Sequence, residues 1–171
     1  MTPQLIVSAV ALLLVLVVML FEAKLSRANE RRLRTQGAFE PPDDVYRAMQ
    51  LLYPGAFVAM AIEGALAGPA PGLTTAIGGL VLLAGKALKF WAITSLGPRW
   101  TFRVLVPPGG SLVTRGPYRR LRHPNYVGVI GELIGMALLV GAAVTGPLGT
   151  VAFGWLIWRR IDVENRALSQ T

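Results

Sequence analysis

The chain's single histidine, His123, stands in the run Arg119-Arg120-Leu121-Arg122-His123-Pro124-Asn125-Tyr126-Val127-Gly128. Pro124 suits the first turn of a helix, where its missing N–H is not needed. The free backbone N–H groups of such a turn, together with Arg122 and His123, form a group able to bind an anion such as a carboxylate. The same residues also make a plain helix-end anchor, and residue types alone leave both readings open. Further along, Asn125, Gly128, Glu132 and Gly135 are spaced 3, 4 and 3 apart and share one helical face. Small residues on such a face let another helix approach closely. Glu132 is different, because a carboxylate inside an apolar run is expensive and by default faces a cavity or a partner. Such a group is either a general base with a raised pKa or a protonated or paired structural acid. Arg160 and Glu164 lie one turn apart on a later helix. They form either a modest surface ion pair or a polar pair at the mouth of a cavity, with Glu164 facing a cationic or hydroxyl-bearing ligand.

Several chemistries are absent from the sequence. With no cysteine and one histidine there is no thiolate nucleophile, no disulfide and no His-rich metal site, so no metal is expected. Neither a Gly-rich nucleotide loop after a strand, nor a Walker motif, nor H-E-x-x-H, nor G-x-S-x-G is present.

The elements that must position these residues follow from hydropathy. Of 171 residues, 53% are apolar and only 15% charged, with mean hydropathy +0.53. These values exclude both an ordinary soluble domain and a disordered chain. The formal charge of +8 comes from basic residues lying between long apolar runs, so they read as topology signals and lipid-headgroup contacts, and no nucleic acid is expected. A hydrocarbon core about 30 Å thick needs about 20 apolar residues of helix. Five spans are predicted, at about residues 3–22, 48–67, 73–96, 124–143 and 147–162, in one all-α integral membrane domain covering residues 1–171. The first span lacks the basic flank and the cleavage site of a signal peptide, and reads as a retained anchor. Lys and Arg concentrate in residues 24–47, 99–122 and 159–166 and are missing from the links 68–72 and 141–147. That pattern puts the amino terminus outside and the carboxyl terminus in the cytoplasm. Residues 24–34 are expected to form a short interfacial helix, and Pro41-Pro42-Asp43-Asp44 a turn. Glu63, near the outer end of its span and without a companion motif, reads as structural. The fifth apolar run, Leu148 to Trp158, is only 11 residues, or about 17 Å of helix. It therefore brings Arg159 and Arg160 to membrane depth unless they snorkel or border a polar cavity.

Arg122-His123-Pro124-x-Tyr126-x-Gly128, followed by Arg160-x-x-x-Glu164 and Leu168, resembles the isoprenylcysteine carboxyl methyltransferase family. The likeness runs from about Phe90 to Leu168 and includes Leu96-Gly97-x-Arg99-Trp100-Thr101. In finer detail, including Pro117-Tyr118-Arg119, Glu132 and Val163-Glu164-Asn165-Arg166-Ala167-Leu168, it is similar to bacterial members associated with type III polyketide synthases. The resemblance implies a membrane methyltransferase that uses S-adenosylmethionine without a Rossmann fold. Its cofactor pocket, built by residues of about 90–171, faces the cytosol, and its lipophilic substrate arrives from the bilayer. Carried over, Tyr118, Arg122, His123, Pro124, Tyr126, Gly128 and Glu164 line the cofactor site, while Glu132 and Arg160 are the catalytic candidates. Asn165 stands where many relatives carry a second acid, and Thr171 where many continue into an aromatic-containing tail.

Methyl transfer from a sulfonium is an in-line displacement governed by positioning and water exclusion. The acceptor expected from the resemblance is a phenolic or enolic polyketide lipid, an alkylresorcinol or alkylpyrone, with a polyketide synthase as partner and the bacterial inner membrane as location. A phenol or enol must lose a proton, which gives Glu132 a task. The alternatives are a prenylated cysteine carboxylate or another lipid, already ionised and needing no base, and a small non-enzymatic membrane protein whose Arg-His-Pro segment only anchors a helix.

Overall fold

The computed structural model describes residues 2–109 and 113–168. Five helices carry the fold: α1 Pro3–Thr35, α2 Tyr46–Ala67, α3 Gly72–Leu96, α4 Pro124–Val140 and α5 Thr145–Leu168. Single helical turns at Gly97–Arg99 and Gly116–Arg119 punctuate the α3–α4 connection. Helices α1, α2 and α3 are long and apolar enough to cross a membrane, and α4 is a shorter apolar helix. Their outward faces are apolar, with Leu13, Leu20, Phe21, Leu80, Val151 and Trp158 each more than 60% exposed, far beyond what a soluble surface tolerates. Residues 169–171, the end of the expected cofactor-binding half, lie outside the described residues.

The segment expected to be a separate interfacial helix is the continuation of α1. No Gly or Pro interrupts residues 21–35, and Ala, Glu, Lys, Leu and Arg there are good helix formers. The helix runs 33 residues, about 50 Å, until Gly37 at φ 80 ends it. Its inward face carries Gln4, Ser8, Ala11, Val15, Glu22, Ser26, Asn29 and Leu33, so polar side chains are mixed into the buried face, while Leu13, Leu14, Leu20 and Phe21 point outward. That is the reverse of a soluble helix, and it fits a lipid surround. The fourth helix is shorter than the predicted span, because Gly141 adopts a left-handed cap at φ 75. The fifth extends past its predicted end, to Leu168.

Helices α3 and α4 pack antiparallel along their length through glycines. A Cβ on Gly85 would meet the Glu132 backbone N at 2.8 Å, and one on Gly128 would meet the Gly85 carbonyl oxygen at 2.9 Å. Both contacts are tighter than any side chain allows, so the glycine face predicted on α4 serves helix approach. Phe57, Met60, Leu133, Met136, Phe153, Leu156 and Ile157 fill the core between α2, α4 and α5, with Ala11 and Val15 of α1. Glu63 ties α2 to the start of α5. Its carboxylate accepts from Val144 N at 2.9 Å, Thr145 N at 2.7 Å and the Thr145 hydroxyl, satisfying N–H groups that a helix start leaves open.

At the end of the bundle that carries the Lys and Arg residues, the α1–α2 and α3–α4 connections are fastened together. Phe39 and Val106 exchange backbone hydrogen bonds of 3.1 and 3.0 Å. Arg103 pairs with Glu40 and Glu30 and lies over the Tyr46 ring. Val104 and Val106 pack on Val163 and Ala167 of α5. Asn29 of α1 donates to the Trp100 carbonyl at 2.8 Å, and the Trp100 indole N–H donates to Asn125 at 3.3 Å, which fixes the Arg99-Trp100-Thr101 segment against the start of α4.

Candidate active site

Tyr126, in the first turn of α4, and Arg160 and Glu164, near the end of α5, meet beneath these connections. Arg160 is 5% exposed. Its Nε donates to the Tyr126 hydroxyl at 2.7 Å and lies 3.3 Å from Glu164 Oε1. The Tyr126 hydroxyl in turn donates to Glu164 Oε1. Arg160 Nη1 reaches Asp44 Oδ1 at 3.3 Å and Met49 Sδ at 3.9 Å. The His123 ring stacks on Tyr126 with centroids 5.5 Å apart and planes 20° apart, and its Nδ1 lies 3.5 Å from Glu164 Oε2. One buried guanidinium thus sits between two carboxylates, which offsets the desolvation that would otherwise make it prohibitive.

The surroundings follow from local sequence. Pro124 is buried at the first position of α4, where it needs no N–H partner. Tyr118 is half-buried on the Gly116–Arg119 turn. Burial, and then the negative charge of Glu164, raise its pKa well above the ordinary tyrosine value, so at neutral pH it is a neutral phenol. Gly116, at φ 60, brings that turn onto Ser95, and Arg115 Nε donates to the Ser95 carbonyl at 2.8 Å. Arg122 is exposed beside the start of α4.

Of the residues singled out from sequence, the structure brings together His123, Pro124, Tyr126, Arg160 and Glu164, with Tyr118 within electrostatic reach. Gly128 faces α3 and serves helix packing. Arg159, the other arginine expected at membrane depth, is exposed over the Trp155 ring at 5.6 Å. Glu132 belongs to a second, separate cluster two turns further along α4. There it is 0% exposed, with Lys86 Nζ 2.6 Å from Oε2 and Lys89 Nζ 3.6 Å from Oε1. Tyr53 donates its hydroxyl to Oε2, and Lys89 also pairs with Glu22 at 2.7 Å. Three helices thus share a charge-balanced group of two acids and two lysines, and α2 adds the Tyr53 hydroxyl. Glu132 Oε1 and Lys86 Nζ are buried there without a hydrogen bond.

Sequence reasoning missed Asp44, Met49, Glu22 and Tyr53. Asp44 lay in a segment legible only as a turn, and its partner is 116 residues away. Lys86, Lys89 and Glu132 carried a signal, opposite charges at intramembrane depth, that the hydropathy pattern alone did not pair.

The chemistry of the Arg160 cluster suits a ligand that carries both charge and an aromatic ring. The Glu164 carboxylate and the His123 imidazole are each about a quarter exposed. They can accept from or donate to amine and hydroxyl groups beside a stacked aromatic pair, whereas the first N–H groups of α4, those of Tyr126 and Val127, already donate to the His123 carbonyl at 3.1 and 3.3 Å. These donors and acceptors match the amine, carboxylate, ribose and base of S-adenosylmethionine.

The isoprenylcysteine carboxyl methyltransferase (ICMT) family profile matches residues 77–170. An uncharacterized protein of Bacillus subtilis, YpbQ, is 33% identical over 149 residues, 87% of this chain and 89% of its own length. A probable protein-S-isoprenylcysteine O-methyltransferase of Oryza sativa subsp. indica is 30% identical over 55% of this chain and 50% of its own. Protein-S-isoprenylcysteine O-methyltransferase A of Arabidopsis thaliana is 29% identical over 53% of this chain and 47% of its own. No solved structure matches. With its apolar helices, the paired motifs of α4 and α5 and these likenesses, the chain belongs to the isoprenylcysteine carboxyl methyltransferase family and is an O-methyltransferase whose methyl donor is S-adenosylmethionine.

Proposed function

We propose that this protein methylates an oxygen of a lipophilic acceptor that reaches it from the bilayer, with the Arg160 cluster as its cofactor side. The observation that carries this reading is the buried Arg160, held by Tyr126, Glu164 and Asp44. A guanidinium so engaged is a positioning group: it fixes the Tyr126 hydroxyl and the Glu164 carboxylate in place. Glu164, His123 and Tyr126 then contact the cofactor, with Tyr118, Arg122 and Pro124 shaping the walls around them, while Gly128 lets α3 pack close behind. When bound, S-adenosylmethionine supplies an electrophilic methyl on a sulfonium. The chain supplies orientation and a site shielded by the fastened connections, the two factors that dominate such a displacement. In this reading all five helices cross the membrane, in a bacterium the inner one. The basic end faces the cytoplasm in accord with its Lys and Arg content.

For the acceptor we favour a phenolic or enolic polyketide lipid, supplied by a partner polyketide synthase. Two observations bear on it. The plant relatives named for prenylcysteine match only a little over half of this chain, so their acceptor does not carry over by likeness alone. Glu132 Oε1, buried without a hydrogen bond, is a position where an acceptor hydroxyl could leave its proton, with the Lys89 ammonium 3.6 Å away to stabilise the resulting oxyanion. A second reading, an isoprenylcysteine-type carboxylate, is favoured by the pairing of Glu132 with two lysines, since an ionised acceptor needs no base.

Label transfer from S-adenosylmethionine by the purified, lipid-reconstituted protein separates the readings. An alkylresorcinol, an alkylpyrone and a prenylated cysteine analogue are offered in parallel. Labelling of the polyketides, with loss of at least tenfold in Glu132→Gln, supports the first reading. Labelling of the prenylcysteine alone, unaffected by that substitution, establishes the second and leaves Glu132 a structural role.

A further inference from the structure

Asp44 lies outside the stretch that the family profile matches, yet its side chain is 4% exposed and directed at the functional arginine. Three contacts fix it. Oδ2 accepts from Val104 N at 2.9 Å, Oδ1 accepts from Tyr46 N at 3.1 Å, and Oδ1 also pairs with Arg160 Nη1 at 3.3 Å. Its neighbour Asp43 is half exposed and pairs with the equally exposed Arg166. A buried guanidinium needs one anion for balance, and Glu164 already provides it at 3.3 Å. Asp44 is thus a second carboxylate on Arg160, one more than the guanidinium's charge requires.

Resting on the assignment of the Arg160 cluster as the cofactor side, we propose that Asp44 is a specificity-determining residue: its carboxylate adds a negative charge beyond the one that balances Arg160, so that the site prefers the sulfonium cofactor to its neutral thioether product. The chemistry gives this preference a use. In the transfer, the acceptor O–CH3 bond forms as the S–CH3 bond breaks, and the bonding pair stays on sulfur. The bound nucleoside therefore changes from net +1 to net zero, while the acceptor oxygen loses its negative charge. The Asp44 charge attracts the charged cofactor and that attraction is lost once the methyl has moved, which favours product release. A unit charge within roughly 10 Å at an effective dielectric of about 20 corresponds to a preference on the order of tenfold.

The test is calorimetric binding of S-adenosylmethionine and of S-adenosylhomocysteine to the reconstituted full chain, with no turnover required. Wild type, Asp44→Asn, Asp44→Glu, Asp43→Asn and Glu164→Gln are compared. For Asp44→Asn we expect about tenfold weaker S-adenosylmethionine binding and less than a twofold change for S-adenosylhomocysteine. Asp44→Glu, which keeps the charge and moves it, should retain the wild-type ratio of the two affinities even if both fall, and Asp43→Asn should match wild type. Equal losses for both nucleosides in Asp44→Asn would mean that the residue only holds Arg160 in shape, and would overturn the inference. Unchanged binding of both in Asp44→Asn, with Glu164→Gln weakened for both, would overturn it while leaving the cofactor assignment standing. If Glu164→Gln left both affinities intact, the cofactor assignment itself would fail.

Discussion

Replacing Lys89 by methionine removes the ammonium that links two buried acids while roughly keeping the volume of the side chain. Lys89 is 3% exposed, 2.7 Å from Glu22 and 3.6 Å from Glu132, so the variant takes from Glu22 its ion pair and leaves Glu132 with Lys86. Breaking a buried pair by removing one partner costs about 3–5 kcal/mol in soluble proteins. Polar contacts between membrane helices measure lower, about 1–2 kcal/mol, because the unfolded chain in lipid finds substitute partners. Here two contacts are lost together and a net charge is left behind, so we expect about 3 kcal/mol for Lys89→Met, intermediate between the two scales. For a chain of this length that is a fall of roughly 6–12 °C in the unfolding midpoint. Glu22→Gln alone leaves the opposite imbalance. The double variant restores a neutral group made of Lys86 and Glu132, and should be more stable than the sum of the single losses predicts by about 2 kcal/mol, the signature of coupled sites. Thermal unfolding in one lipid mixture, followed by helical circular dichroism, measures all three. Losses that simply add would refute the argument that the four ions act as one charge-balanced unit.

Other perturbations probe the scaffold. Burial would raise the Glu40 carboxyl, but hydrogen bonds from Arg103 and Arg34 outweigh it and hold the group below its ordinary value. A lowered folded pKa gives stability that is present above the unfolded value, about 4.3, and lost as pH falls through the folded one. Glu40→Gln should therefore lower the stability slightly at pH 7, by less than about 1 kcal/mol for so exposed a network, and the gap to wild type should close in acid; a gap unchanged from pH 7 to 3 would count against it. In Gly128→Val, the new side chain meets the Gly85 carbonyl oxygen and the Lys89 backbone, so α3 must move. We expect a loss of about 3 kcal/mol or failure to fold, read from detergent-stable yield, and wild-type yield would contradict the close approach. Glu63→Ala removes the acceptor of the first N–H groups of α5 and should destabilise by about 1–2 kcal/mol without altering cofactor affinity; weakened cofactor binding would mean that the two ends of the bundle are coupled.

The sequence by itself determined the class of molecule and the residues worth watching. Apolar runs of span length, Lys and Arg in alternate links and the glycine spacing on α4 are local properties, set by the chain's own periodicity and by what lipid tolerates. The Arg122-His123-Pro124 and Arg160-x-x-x-Glu164 motifs were legible because each lies within one or two helical turns. Where the chain should break was less legible. The missing breaker after Phe21 signals that α1 continues, but polar composition suggested a separate segment, since hydropathy reports environment and not helix ends. Only the tertiary structure decided which charges meet. Asp44 reaches Arg160 across 116 residues, and Glu22 of α1, Tyr53 of α2 and Lys86 and Lys89 of α3 enclose Glu132 of α4. Partner choice depends on how helices rotate and dock against one another, through glycines that let α3 and α4 nearly touch. A buried charge must find its counter-ion wherever the packing brings it, and sequence spacing carries no record of that.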